Sequence, residues 1–279
     1  MKDLTGCVCL VTGATRGIGK GIAVSLGKSG ATVYLTGRTS VPLNGGIGGS
    51  LQETSDIINN FGGKAIPVMV DHSNENEIEN LFHQIDREQK GRLDIVVNNA
   101  YSAVTFLQKN MGKPYYEITD ISPGEAWDVV NDTGLKNHYI CSVLATRMMI
   151  EYQKKTNSSS TRPGLIVNIT SVGGKIYLFS VSYGSAFHYD TAESPQLSGK
   201  VIIAIANEQR DKLLSRNGQV ILTCDIADEY SIKEIDGRKP INLRSLQLAV
   251  KTQCSLLGYL IPGFIRIPLS LVTYILRRQ

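Results

Sequence analysis

An α/β protein built on a parallel, doubly wound sheet is what this sequence predicts. Apolar runs of strand length alternate with helical stretches from the first residues onward. A glycine-rich turn, Thr12–Gly19, joins the first such strand to the first helix. The chain has 279 residues, 42% of them hydrophobic and 19% charged, which suits one large soluble unit of this class.

Cys7–Val11 is a short apolar run, followed by the glycine turn and a helix that passes Leu26 and stops near Gly30. Thr32–Thr36 is the second strand. Val41–Ser50 holds four glycines and one proline and reads as a flexible insertion without a functional role. Leu51–Asn60 is helical, closed by Gly62-Gly63. Ala65–Val70 is strand three. Ile78, Leu81, Phe82 and Ile85 then recur with the period of an amphipathic helix. Leu93–Val97 is strand four, apolar apart from Asp94, as suits a strand covered on both faces. One long helix is expected from Trp127 to about Tyr152, strand five at Leu165–Ile169, and a last helix–strand pair at Ser198–Ser215 and Gln219–Asp225.

Composition removes several function classes. A net charge of +4 with basic residues spread along the chain argues against nucleic acid as a partner. The five cysteines (Cys7, Cys9, Cys141, Cys224, Cys254) lack metal-ligand spacing and read as free thiols in a reducing compartment. The four histidines (His72, His83, His138, His188) are scattered and form no metal pattern. The start, Met1–Gly6, runs straight into a strand and shows no secretory signal.

The turn Thr12-Gly13-Ala14-Thr15-Arg16-Gly17-Ile18-Gly19 carries the chemistry. Gly13 permits a tight turn, Gly17 lets the backbone approach a pyrophosphate, and Gly19 allows close helix–strand packing. The helix N-terminus adds unpaired N–H groups and positive dipole. Because a strand precedes the glycines and a helix follows, the sheet is of the Rossmann, dinucleotide-binding type.

These residues, with Asn98-Asn99-Ala100-Tyr101 after strand four and Gly91-Arg92-Leu93-Asp94 before it, resemble the short-chain dehydrogenase/reductase family. The tail segment from Cys224-Asp225 through Asp236-Gly237-Arg238 is similar to one member group as well. The resemblance implies that Gly13, Thr15, Arg16, Gly17, Ile18, Gly19, Asn98 and Ala100 frame the cofactor and that Asp71 meets the adenine amino group. It also implies that Ser171 and Tyr183 are the catalytic serine and tyrosine. The nicotinamide type follows from charge. NAD-binding members end strand two with an acidic residue, which accepts from the ribose 2′-hydroxyl and repels a 2′-phosphate. Here the strand ends Leu35-Thr36-Gly37-Arg38, so Arg38 and Arg16 favour NADP(H).

The catalytic half departs from the family pattern. A lysine four residues after the tyrosine is expected to grip the ribose and lower the tyrosine pKa. Phe187 stands there, and His188 is one helical step away. Ser194-Pro195 follows Tyr183 within twelve positions, too few for the helix, strand and Pro-Gly loop that the family places between. The expected fold therefore lacks one helix–strand unit between strand five and the last strand, with the join near 184–194. The family's asparagine on the long helix, seven residues after Trp127, is Gly134 here.

Residues 1–230 are expected to form the cofactor domain and 231–279 a C-terminal extension. Leu256–Leu276 is apolar but interrupted by Pro262, Arg266 and Pro268, which disfavours a spanning helix. Broken amphipathic pieces in a membrane interface, or packing against the domain or a second subunit, both suit it. The resemblance favours the cytoplasmic face of the endoplasmic reticulum or the cytoplasm. The function expected is an NADPH-dependent reductase of small lipophilic carbonyl substrates such as steroid-like ketones, impaired by the missing lysine. Two alternatives stand beside it: a non-catalytic NADP(H)-binding protein, and an active reductase whose missing unit reflects an incomplete version of the sequence. Loss of the helix after the tyrosine makes the family's usual dimer doubtful.

Overall fold

Five runs of apolar and β-branched residues become strands: β1 (Val8–Val11), β2 (Thr32–Gly37), β3 (Lys64–Met69), β4 (Ile95–Asn98) and β5 (Leu165–Asn168). All neighbours pair parallel, in the order β3-β2-β1-β4-β5. The computed structural model describes residues 3–42, 48–110, 113–156, 162–170, 193–242, 244–246, 262 and 265–268.

Side chains alternate across the central strands, so each face has its own core. On one face Cys9, Val11, Val33, Leu35, Ile95 and Val97 meet α1 (Gly17–Lys28), α2 (Leu51–Asn60) and α7 (Pro195–Ala206) through Ile22, Leu26, Ile58, Ile202 and Ile203. On the other, Val8, Leu10, Tyr34 and Val96 meet α3 (Glu75–Gln89) and α6 (Asn137–Thr156). The four apolar residues spaced for a helix, Ile78, Leu81, Phe82 and Ile85, are the buried stripe of α3. The Arg92–Asp94 pair fixes the entry to the sheet, since Asp94 Oδ2 accepts from Arg92 Nε and from the Val8 N–H, each at 2.8 Å.

The strand order reverses between β1 and β4, so the loops leaving their C-terminal ends diverge and open a crevice there. The end of the glycine-rich insertion packs beside it. Ser50 caps α2 in a reciprocal box with Glu53, and a β-carbon on Gly49 would lie 2.4 Å from the Thr15 carbonyl oxygen. That end of the segment is a structural neighbour of the turn; residues 43–47 lie outside those described.

Three expectations need correction. The stretch from Trp127 is helical throughout but not one regular helix: α5 (Pro123–Asn131) passes through a π-type turn, Asp132–Lys136, into α6. The segment Ser198–Ser215 is two helices, α7 and α8 (Arg210–Ser215), broken at Asn207–Gln209. The expected last strand, Gln219–Asp225, does not form. Residues 217–222 take no regular structure and α9 (Thr223–Glu229) begins inside it. A strand needs a ladder partner, and 219–222 is not laid along the open edge of β5, the last strand of the sheet among the described residues.

Ion pairs join the described residues that follow α7. The buried Glu208 carboxylate receives Arg216 Nε at 2.7 Å and Nη2 at 2.6 Å, which draws α8 onto the end of α7. Partial burial opposes its ionisation, but these bonds, with Tyr230 and Lys212, win and hold its pKa down at about 2. Asp225 and Asp228 on α9 bind Arg244 and Arg266 respectively, and Ser245, next to Arg244, forms a short antiparallel bridge with Arg266. Residues 265–268 of the apolar tail therefore pack on the protein, and most of Leu256–Leu276 lies outside the described residues. No helix among the described residues is long and apolar enough to cross a membrane.

Candidate cofactor site

The turn after β1 is built by the loop after β4. Asn99 Nδ2 donates to the Thr12 carbonyl at 2.9 Å and the Gly13 carbonyl at 3.1 Å. In return, Thr12 Oγ1 accepts from the Asn99 and Ala100 N–H groups at 2.9 and 3.0 Å. This close approach explains two glycines. Gly13 has φ +68°, and a β-carbon on it would sit 2.8 Å from Ala100 Cα. One on Gly19 would sit 2.3 Å from the Gly13 carbonyl oxygen and 2.4 Å from Asn99 Nδ2. Gly19 thus packs helix against turn, rather than helix against strand as its position in the motif suggests. Gly17 differs. Its φ is +55° and a β-carbon there would meet nothing within 4 Å, so the backbone lies open where an anion would approach the first turn of α1. Ile18 is exposed beside it, Thr15 is buried against Gly37, and Arg16 takes the extended N-cap position of α1.

Across β2 lie the residues expected to meet an adenosine. Arg38 follows the strand with its side chain 65% exposed, and its guanidinium stands 4.0 Å from Asp71. Partial burial works against the charged form of Asp71. Hydrogen bonds from the Ser73 N–H and hydroxyl, helped by Arg38 and His72, outweigh it and lower the carboxyl pKa. No carboxylate ends β2 itself. The donor set therefore fits a dinucleotide: an open anion-binding turn, a cation past β2 and an acid past β3.

Asn98 and Ala100 are placed differently from each other. Asn98 is fully buried, its amide donating to Asn168 Oδ1 at 2.8 Å and Ser142 Oγ at 3.0 Å. It fastens β4 to β5 and α6 from beneath the crevice and presents no surface to a ligand. Ala100 lies at the crevice, its carbonyl accepting from His138 Nε2 at 3.1 Å. Burial lowers the His138 pKa, which keeps that ring neutral. Next in line, Tyr101 lays its ring over Gly134. A β-carbon at 134 would lie 2.8 and 2.9 Å from the ring carbons Cδ2 and Cε2. A side chain at 134 would require the Tyr101 ring to shift from where it lies.

Sequence reasoning missed the polar residues beneath this crevice. His72 and Asn137 are both buried and mutually bonded, and the scatter of histidines along the chain held no hint of it. β5 ends at the same end of the sheet as the glycine turn, where the Ile169 N–H bonds the Asn98 carbonyl at 2.9 Å. Ser171 and Tyr183, with Phe187, lie outside the described residues.

Known proteins agree with this geometry. A family profile described as short chain dehydrogenase matches residues 7–187. Dehydrogenase/reductase SDR family member 1 of Mus musculus is 36% identical over 330 aligned positions, covering 98% of each chain. The Homo sapiens protein of the same name is 34% identical, covering 95% of each. The 330 positions exceed the 279 residues of this chain by 51, so at least that many face a gap here. A metagenomic short-chain oxidoreductase solved in complex with NADP is 27% identical with a TM-score of 0.52, over 82% of this chain and 90% of that one. The chain belongs to the short chain dehydrogenase family, a family of oxidoreductases.

Proposed function

We propose that this chain binds NADP(H) in the crevice between the β1 and β4 loops, with Gly13–Gly19 receiving the pyrophosphate and Arg38 with Arg16 receiving the 2′-phosphate. The observation that carries this reading is the end of β2, where Arg38 stands exposed and no carboxylate is present to repel a phosphate. The similar structure that holds NADP supports it. A fluorescence titration should show NADPH binding more tightly than NADH, and Arg38→Glu should reverse the order. Equal affinity for the two cofactors in the unaltered protein would sink the reading.

The chemistry we infer is carbonyl reduction of a small lipophilic ketone, steroid-like substrates included. NADPH held at Gly13–Gly19 would supply the hydride for the carbonyl carbon. Tyr183 gives the oxygen its proton and Ser171 holds that oxygen in line. The lysine that would lower the tyrosine pKa is replaced by Phe187, so the reaction is slow in this chain. A non-catalytic NADP(H)-binding role is the second reading, favoured by the 51 or more positions that the murine relative has and this chain lacks.

We assign residues 1–230 to the cofactor domain and 231–279 to an extension. Tail segments flanking the docked residues 265–268 are proposed to rest on a membrane surface, as at the cytoplasmic face of the endoplasmic reticulum. Deleting residues from Leu256 onward should release the protein from sedimenting liposomes; unchanged sedimentation would refute the membrane contact.

A further inference from the structure

A chain of buried hydrogen bonds runs beneath the crevice from its adenosine side to the helix on its far side. Thr36 is fully buried at the end of β2, two residues before Arg38, and its hydroxyl lies 2.6 Å from His72 Nε2. His72 directly follows Asp71 and is only 4% exposed. Its Nδ1 lies 2.7 Å from Asn137 Oδ1, at the first residue of α6. Asn137 is fully buried and donates to the Thr133 carbonyl inside the π-type turn at 3.1 Å, while its oxygen also receives the Cys141 thiol at 3.2 Å. The bonding pattern assigns the protons. Asn137 Oδ1 can only accept, so Nδ1 carries hydrogen and Nε2 accepts from the Thr36 hydroxyl. Every member is satisfied, and a satisfied buried network is rigid because breaking one bond strands a polar group away from water.

We infer that His72 is a positioning residue: it locks the segments carrying Arg38 and Asp71 to the start of α6 and so sets the preference of the adenosine site for a 2′-phosphate. The inference rests on the NADP(H) reading above. No other residue type spans two buried partners from opposite sides of a flat ring while staying uncharged. Burial lowers its pKa to about 4, consistent with a neutral ring.

Calorimetry on the full chain with 2′,5′-ADP and 5′-AMP tests this, because both probes lack nicotinamide and avoid the catalytic half. The unaltered protein should bind 2′,5′-ADP more tightly. Thr36→Val, which keeps the shape and removes the hydroxyl, and Asn137→Ala should each reduce the ratio of affinities roughly five- to tenfold, at the low end of typical coupling between sites. Thr36→Ser should retain it. Simple loss of fold weakens both probes together and leaves the ratio alone, so thermal melts recorded alongside separate the two effects. An unchanged ratio in folded Thr36→Val and Asn137→Ala overturns the role of His72. A parent protein that does not distinguish the probes overturns the NADP(H) reading instead.

Discussion

Two stretches of nearly the same character end differently in this molecule. Thr32–Gly37, with the sequence TVYLTG, is β2, paired on both sides and almost wholly buried. Gln219–Cys224 reads QVILTC, yet its first residues take no regular structure, Val220 is 50% exposed, and the last two begin a helix. Local β-preference is the same in both. What differs is the neighbour: β2 lies between β1 and β3, whereas among the described residues nothing extends the sheet beyond β5. Strand formation is a property of a pair: β5 leaves its outer edge open, and the partner that the expected helix–strand unit would bring to 219–222 is not among the described residues.

The largest effect expected from restoring that partner is catalytic. Inserting a complete helix–strand unit after Gly184, with a lysine four residues beyond Tyr183, should raise NADPH-dependent turnover of quinones, diketones or steroid ketones by about a hundred- to ten-thousand-fold. It should also draw 219–222 into the sheet. Phe187→Lys alone should recover little, because no helix aims the new side chain. Turnover at ordinary reductase rates by the unmodified chain would show that the gap is harmless.

On the intact side of the comparison, His72 should make the fold acid-sensitive. Burial lowers its pKa from the usual 6.5 to about 4, so on acidification the unfolded chain takes up a proton first. Its contribution is complete above pH ~6.5 and is lost as the pH falls toward ~4, amounting to ~3 kcal/mol from this one group. Urea midpoints at pH 7, 6 and 5 measure it. The same slope in His72→Leu would assign the acid sensitivity elsewhere.

Gly19→Ala should cost about 1–3 kcal/mol, the usual penalty of overpacking, since its β-carbon would collide with the Gly13 carbonyl 2.3 Å away. Cofactor affinity should fall with it, as the turn is pushed from Asn99. Calorimetric melting with and without NADPH reads both, and an unshifted melt would show that the turn relaxes freely.

The smallest effect is the sharpest test of the comparison. Val220→Asp should change stability by no more than about 0.5 kcal/mol, as at any exposed site. Val33→Asp, at the matching position of β2, would bury a lone carboxylate and should abolish folding. A large loss from Val220→Asp would mean that 219–222 is paired after all.

Much of the cofactor half was legible because its signals are local. Gly13, Gly17 and Gly19 announce a turn whatever surrounds them, and the period of Ile78, Leu81, Phe82 and Ile85 needs only a helix and an apolar face. The packing of Asn98 was not legible, for the opposite reason. Its place in the motif is a matter of sequence, while its burial under β5 and α6 depends on elements far along the chain. The same holds for the Tyr101–Gly134 contact and for the bond between His72 and Asn137, separated by 65 residues.

By itself the sequence determined the alternation of strands and helices, the anion-binding turn and the absence of an acid after β2, since each depends on residue type and short-range spacing. Only the tertiary structure decided that Gln219–Leu222 would stay outside the sheet, that Asn98 would be buried between β5 and α6, and that a buried histidine would join Thr36 to Asn137. Those outcomes turn on which groups lose water together and which find a partner when they do, and that is settled by packing between distant segments.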